Sequence, residues 1–109
     1  MSGGTISGNS CTSSSSPDSY GSQWLEGAFG GGVFIQTPAS MLKTGGIIYG
    51  NEVTGNDAGG IPLRNMAQTN NHGHAVLYRV DSGYLRRNTT AYAANNMNSS
   101  VSGSAGGWE

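Results

Sequence analysis

GGTISGN at residues 3–9 returns as GGIIYGN at residues 45–51, with five of seven residues identical and an offset of 42 residues. A second pair of similar segments interleaves with the first: GGVFI at residues 31–35 is echoed by GHAVLY at residues 73–78. Internal similarity at a spacing of about 20–50 residues is typical of stacked repeat architectures. The spacing therefore predicts an array of short strands.

Two alternating strand types predict an all-β fold. Runs of β-branched and aromatic residues, bounded by glycine, asparagine or proline, occur at residues 33–35, 47–49 and 75–80, as expected of strands separated by turns. No helical period accompanies them. A mean strand spacing of about 21 residues predicts a short β-solenoid of about five coils with an irregular C-terminal cap.

A single domain is predicted over residues 1–109. Its repeat coils occupy residues 1–78, a Ser-rich loop lies at residues 10–28, and residues 79–109 form the C-terminal cap. Six apolar residues of the cap are expected to cover the last coil: Tyr84, Leu85, Tyr92, Met97, Val101 and Trp108.

Stacking of equivalent strands predicts which residues lie side by side. Ile6 is expected to align with Ile48, and Val33 with Val76. If the equivalent Asn9 and Asn51 lie in line with an asparagine of the coil between them, they are candidates for an asparagine ladder of stacked, hydrogen-bonded side-chain amides.

Composition leaves two interpretations open. Hydrophobic residues make up 35% of the chain, while Gly, Ser, Asn and Thr fill 52 of 109 positions, a balance common in disordered segments. Disordered chains are usually highly charged, however, and here charged residues are 10% with a net charge of −1. The repeat favours an ordered chain.

Several classes of protein are excluded by charge and hydropathy. Five Lys and Arg residues cannot form the extended basic surface that nucleic acid requires. No apolar run is long enough to span a bilayer, and no secretory signal peptide is visible at the start. The single Cys11 excludes an intrachain disulfide.

Three segments resemble a known family. MSGGTISGN at residues 1–9 and GGGVFI at residues 30–35 are similar to GGTISGN and GGGVYV units of right-handed parallel β-helix repeats in large bacterial surface proteins. The tail, GHAV, RNTTA and GGWE between residues 73 and 109, resembles the end of such proteins. The resemblance implies the C-terminal portion of a longer secreted or cell-surface protein with a structural or adhesive role. Pectin-lyase-like enzymes share that fold, so a carbohydrate-active lyase or sugar-binding module is the alternative.

Metal and cofactor sites are not predicted. His72 and His74 lie two residues apart, on one face of a strand, but no Cys, Asp or Glu pattern nearby completes a ligand set. GNDAGG at residues 55–60 has a faint similarity to a calcium-binding nonapeptide, yet it occurs once and lacks the repeated Asp. Both are interpreted as ordinary turn or surface residues.

No catalytic residues are predicted either. Glycoside hydrolysis needs two carboxylates across one groove, and the six acids are scattered: Asp18, Glu26, Glu52, Asp57, Asp81 and Glu109. A lyase needs a basic residue beside acids, and no acid cluster accompanies the arginines: Arg64, Arg79, Arg86 and Arg87. Tyr20, Trp24 and Tyr49 could stack on sugar rings, although packing against the fold is the simpler interpretation.

The sequence therefore predicts a non-enzymatic structural or adhesive segment. Its partners are expected to be cell-surface glycans or other protein chains that meet its open strand edges. A degenerate gene fragment without an independent role is a third possibility. Ligand, oligomeric state and biological role cannot be inferred from these residues.

Overall fold

The computed structural model describes residues 1–12, 29–51, 64–68, 72–80, 83–94, 97–98 and 103–109. These residues form seven strands and one short helix. The strands are β1 (Ser2–Ile6), β2 (Val33–Gln36), β3 (Leu42–Lys43), β4 (Gly45–Ile48), β5 (Val76–Val80), β6 (Gly83–Arg87) and β7 (Met97–Asn98), and a 3-10 helix spans Ser104–Gly106.

Two interleaved parallel pairs form the centre of the fold. β1 pairs with β4 and places Ile6 beside Ile48. β2 pairs with β5 and places Val33 beside Val76. Both alignments predicted from the repeat are confirmed. These equivalent residues lie side by side because copies with the same apolar pattern bury the same faces when they pair in parallel. At the start of β1 the register shifts, and Ser2 lies beside Gly45.

The predicted β-helix of about five coils is wrong. The described strands belong to three separate sheets: β1–β4, β2–β5–β6 and the antiparallel pair β3–β7. The 42-residue offset is the distance between directly paired strands, so it does not divide into two coils of 21 residues. β6 then pairs antiparallel with β5 along its whole length, which occupies the edge where a further parallel strand would add.

The same turn precedes both strands of the β2–β5 pair. Gly30 and Gly73 have φ values of +65° and +68°, and a Cβ atom on either would lie 2.2 Å from the carbonyl oxygen three residues later, that of Val33 or Val76. Only glycine accepts this left-handed backbone without strain. The repeat therefore preserves a backbone conformation as well as a strand.

The core lies around β5. Val76, Leu77 and Tyr78 are all buried, because β5 is the middle strand of its sheet and is covered on both faces. The core cluster comprises Ile35, Ile48, Ala75, Val76, Tyr78, Ala91, Met97 and Trp108. Thus both the repeat strands and the C-terminal residues contribute to one core.

Candidate interaction surface

The outer edge of β1 is a candidate interaction surface. Four of its five residues are exposed, and only Ile6 is half-buried. Among the described strands, β1 pairs with β4 alone. A strand edge of this kind carries backbone N–H and C=O groups that can pair with another strand.

On its inner side, β1 lies directly against two glycines of β4. A Cβ atom on Gly45 would be 2.2 Å from the Ser2 carbonyl oxygen, and one on Gly46 would be 2.7 Å from the Gly3 and Gly4 carbonyl oxygens. Any side chain at these positions would push β1 away. The glycines of the second copy are therefore required by close backbone approach.

The equivalent glycines of the first copy have no such neighbour. A Cβ atom on Gly3 or on Gly4 would meet nothing within 4 Å, and both residues are exposed. The glycine pair therefore contacts a neighbouring strand in the second copy and faces open space in the first.

Asn65 holds the two copies together from the side. Its Oδ1 accepts hydrogen bonds from Asn9 N (3.1 Å) and Asn9 Nδ2 (2.9 Å), and its Nδ2 donates to the Ile6 and Tyr49 carbonyl oxygens at 2.8 and 2.7 Å. The residue is fully buried, and all four of these bonds satisfy its amide. The side-chain amide of Asn9 therefore bonds to that of Asn65.

The opposite side of β4 is covered. Ile48 N donates to the Ala91 carbonyl oxygen at 3.0 Å, and Ala91 N donates back to Ile48 at 2.8 Å. Asn51 N donates to the Asn88 carbonyl oxygen at 3.0 Å. The segment after β6 therefore closes β4 just as β6 itself closes β5.

A buried lysine secures that closing segment. Lys43 is fully buried, and its Nζ donates to the carbonyl oxygens of Gly46 (2.6 Å) and Tyr92 (2.7 Å). Burial lowers the pKa of Lys43, and the positive charge of Arg87 lowers it further. Its two carbonyl partners replace part of the hydration that burial removes.

Arg87 and Glu109 join the chain end to the same segment. The Arg87 guanidinium donates to the carbonyl oxygens of Thr89, Thr90 and Gly107 and lies 3.6 Å from Glu109 Oε1. Glu109 accepts hydrogen bonds from the Asn88 backbone and the Thr89 hydroxyl. Burial opposes ionisation of Glu109, but these bonds and the Arg87 charge outweigh it and lower its pKa.

The two histidines singled out in the sequence are buried. His74 Nδ1 accepts a hydrogen bond from Ala67 N at 3.0 Å, and His74 N donates to Asn88 Oδ1 at 3.1 Å. The ring of His72 meets the Phe29 ring edge-on, with centroids 4.6 Å apart. Within the described ranges, no three His, Cys, Asp or Glu residues are placed to hold a metal ion.

A small open pocket lies where β2 and β5 end. It has a volume of about 190 Å³ and is lined by Gln36, Thr37, Arg79 and Val80. The Arg79 guanidinium lies over the Tyr84 ring, 5.9 Å from its centroid, and Thr37 donates to the Arg79 carbonyl oxygen. Ligand pockets usually exceed about 300 Å³, and none of these lining residues is an acid.

The other candidate residues from the sequence differ in burial and in whether the structure describes them. Arg64 and Tyr49 are half-buried, and Arg86 accepts a backbone bond from Glu109. Burial raises the pKa of the Cys11 thiol, which keeps it protonated and weakly nucleophilic. The remaining acids and aromatic candidates lie outside the described residues, as does the segment 55–60: Asp18, Tyr20, Trp24, Glu26, Glu52, Asp57 and Asp81.

No protein-family model matches this chain, and neither a curated protein nor a solved structure shows significant similarity to it. A helix of the length and hydrophobicity needed to cross a membrane is absent from the part of the chain that the structure describes.

Asn65 and Lys43 were not identified by sequence reasoning. Neither lies within a repeat copy, and their partners are up to 59 residues away along the chain. The one available signal is that Lys43 is the only lysine and stands two residues before the second copy. The sequence carries no local pattern that marks Asn65.

Proposed function

We propose that this chain is a non-enzymatic structural or adhesive segment of a secreted or cell-surface bacterial protein, related to surface repeat proteins with GGTISGN-type units. The observation that carries the proposal is the difference between the covered and the exposed strand edges of the fold. β4 and β5 are closed by residues 83–91, whereas β1 presents an exposed edge. Exposed strand edges are a common means of binding another chain.

The bonds of three charged side chains in the described part of the chain support a structural role. Lys43, Arg87 and Glu109 all bond to backbone atoms of neighbouring segments. A general acid or base must reach a substrate proton. Groups engaged in this way stabilise the fold and are poorly placed for proton transfer.

Two measurements test the proposal. Purified protein is incubated with a panel of uronic-acid and neutral polysaccharides, and release of unsaturated products or reducing ends is followed. Antibody labelling of intact producing cells then reports whether the chain is outside the cell. We expect no turnover and a surface signal. Turnover of any polysaccharide would favour the carbohydrate-active alternative, and a chain found only in the cytoplasm would contradict the proposed location.

A further inference from the structure

We propose that the open edge of β1 receives a further parallel strand of Gly-Gly-x-Ile-x-Gly-Asn sequence from another polypeptide. This inference rests on the proposed structural or adhesive role and specifies its partner. The protein already contains one contact of this kind, because β1 pairs in parallel with β4.

The glycines at the start of the two repeat copies differ in what requires them. Gly45 and Gly46 are indispensable because the backbone of Ser2–Gly4 lies against them. Gly3 has the repeat position of Gly45, although a register shift in the pairing places Ser2 beside Gly45. Nothing lies within 4 Å of where the Cβ atom of Gly3 would be. Its φ lies outside the left-handed region, so neither space nor backbone conformation within the described chain requires glycine there. A strand on the open edge would require it.

The open edge of β1 lacks the features that usually prevent strand addition. Natural edge strands are usually protected by a charged side chain, a proline or a covering element. The sequence of β1, Ser2–Ile6, contains no charged residue and no proline. An edge without these protective features is suited to strand addition.

The pairing of β1 with β4 indicates which kind of strand the open edge would accept. In β1 and β4, Ile6 aligns with Ile48 and Thr5 with Ile47. An added strand with isoleucine at the position of Ile6 would extend this row of aligned isoleucines. A second copy of this chain cannot supply its own Gly45–Asn51 segment, because Ile48 is already bonded to Ala91. Two copies meeting through β1 around a two-fold axis would pair antiparallel, unlike the contact with β4. A different polypeptide with the same motif could provide an unpaired strand and could pair with β1 in parallel.

The test uses the full 109-residue protein and a fluorescently labelled peptide with the sequence of residues 1–9. Binding is measured by anisotropy, and the site is mapped by amide NMR shifts. We expect saturable binding with shifts centred on residues 2–6. A scrambled peptide should not bind.

Gly3→Val is the informative variant, because it places a β-branched side chain in the space that the added strand would fill. Its own fold should be unaffected, since that space is empty. We expect peptide affinity to fall at least tenfold while the melting temperature stays within a few degrees of the wild type. Thr5→Val, a change of similar shape on the same strand, is the control and should keep its affinity within about threefold.

Three results would overturn the inference: unchanged affinity in Gly3→Val, shifts located away from β1, or a dimer that forms through β1 and does not bind the peptide. These results leave the proposed structural role standing if the protein is on the cell surface and turns over no polysaccharide. Turnover of a polysaccharide would instead reject the proposed role, whatever the peptide does.

Discussion

Gly3 and Gly45 occupy the same position of the repeat, yet a Cβ atom on Gly45 would lie 2.2 Å from the Ser2 carbonyl oxygen while one on Gly3 would meet nothing within 4 Å. Identical residues are thus under different constraints. The difference arises because β4 has a strand on the side where β1 is exposed.

This contrast predicts opposite effects on stability for one substitution. Gly45→Ala should destabilise the protein by about 1–3 kcal/mol, because the new methyl group must displace the β1 backbone. Gly3→Ala should be neutral or stabilising by up to about 1 kcal/mol, because it restricts the unfolded chain without a clash. Urea denaturation of both variants measures the difference. Equal losses in the two would show that the close approach of β1 to β4 does not form in solution.

Asn65 is expected to be the most sensitive polar residue. Asn65→Ala removes four hydrogen bonds from a fully buried side chain and should cost about 2–4 kcal/mol, since it empties a buried site and leaves Ile6, Asn9 and Tyr49 without this partner. The free energy of unfolding, obtained from urea denaturation, measures this cost.

Asn65→Asp is the matched control, because it keeps the shape but replaces the amide donor that serves Ile6 and Tyr49. Its defect should be large at neutral pH and smaller in acid, because a protonated carboxyl regains one donor. If Asn65→Ala lost the full expected stability and Asn65→Asp lost none at neutral pH, this assignment of the hydrogen bonds would be contradicted.

The sequence predicted those parts of the fold in which equivalent strands of the repeat pair with each other. The pairings of Ile6 with Ile48 and Val33 with Val76 were predicted because equivalent strands bury equivalent faces. The number of coils was wrong because spacing alone does not reveal which strands are direct neighbours. The bonds of Lys43 to Tyr92 and of Asn65 to Ile6 were out of reach because they join residues 49 and 59 positions apart without a local pattern. Pairing at open edges was predicted in general terms and stays a prediction, while the special position of Gly3 became apparent only from its surroundings.

Trp108 is predicted to anchor the C-terminal segment. It is 2% exposed, stacks on Tyr78 at 6.2 Å between ring centroids, and donates from Nε1 to the Asn98 carbonyl oxygen at 3.0 Å. Trp108→Ala should cost about 3–5 kcal/mol through the cavity it leaves. Trp108→Phe keeps most of the packing and should cost about 1–2 kcal/mol, chiefly for the lost bond. Thermal denaturation followed by circular dichroism measures both, and similar losses would show that the indole packing contributes little.

His74 makes stability depend on pH below neutrality. Burial lowers its pKa, and His72 lowers it further. Its Nδ1 can accept the bond from Ala67 only while unprotonated. In the unfolded chain, His74 takes up a proton near pH 6.5, whereas in the folded chain it does so only at lower pH.

The unfolded state therefore binds more protons than the folded state once the pH falls below about 6.5. Stability from His74 is fully present above this pH and is lost as the pH drops toward the lowered pKa, at a rate of up to about 1.4 kcal/mol per pH unit. Denaturation curves at pH 5–8 measure the slope. His74→Gln retains an acceptor that cannot be protonated, so its stability should change less over this range, and a variant with the wild-type slope would assign the dependence to another group.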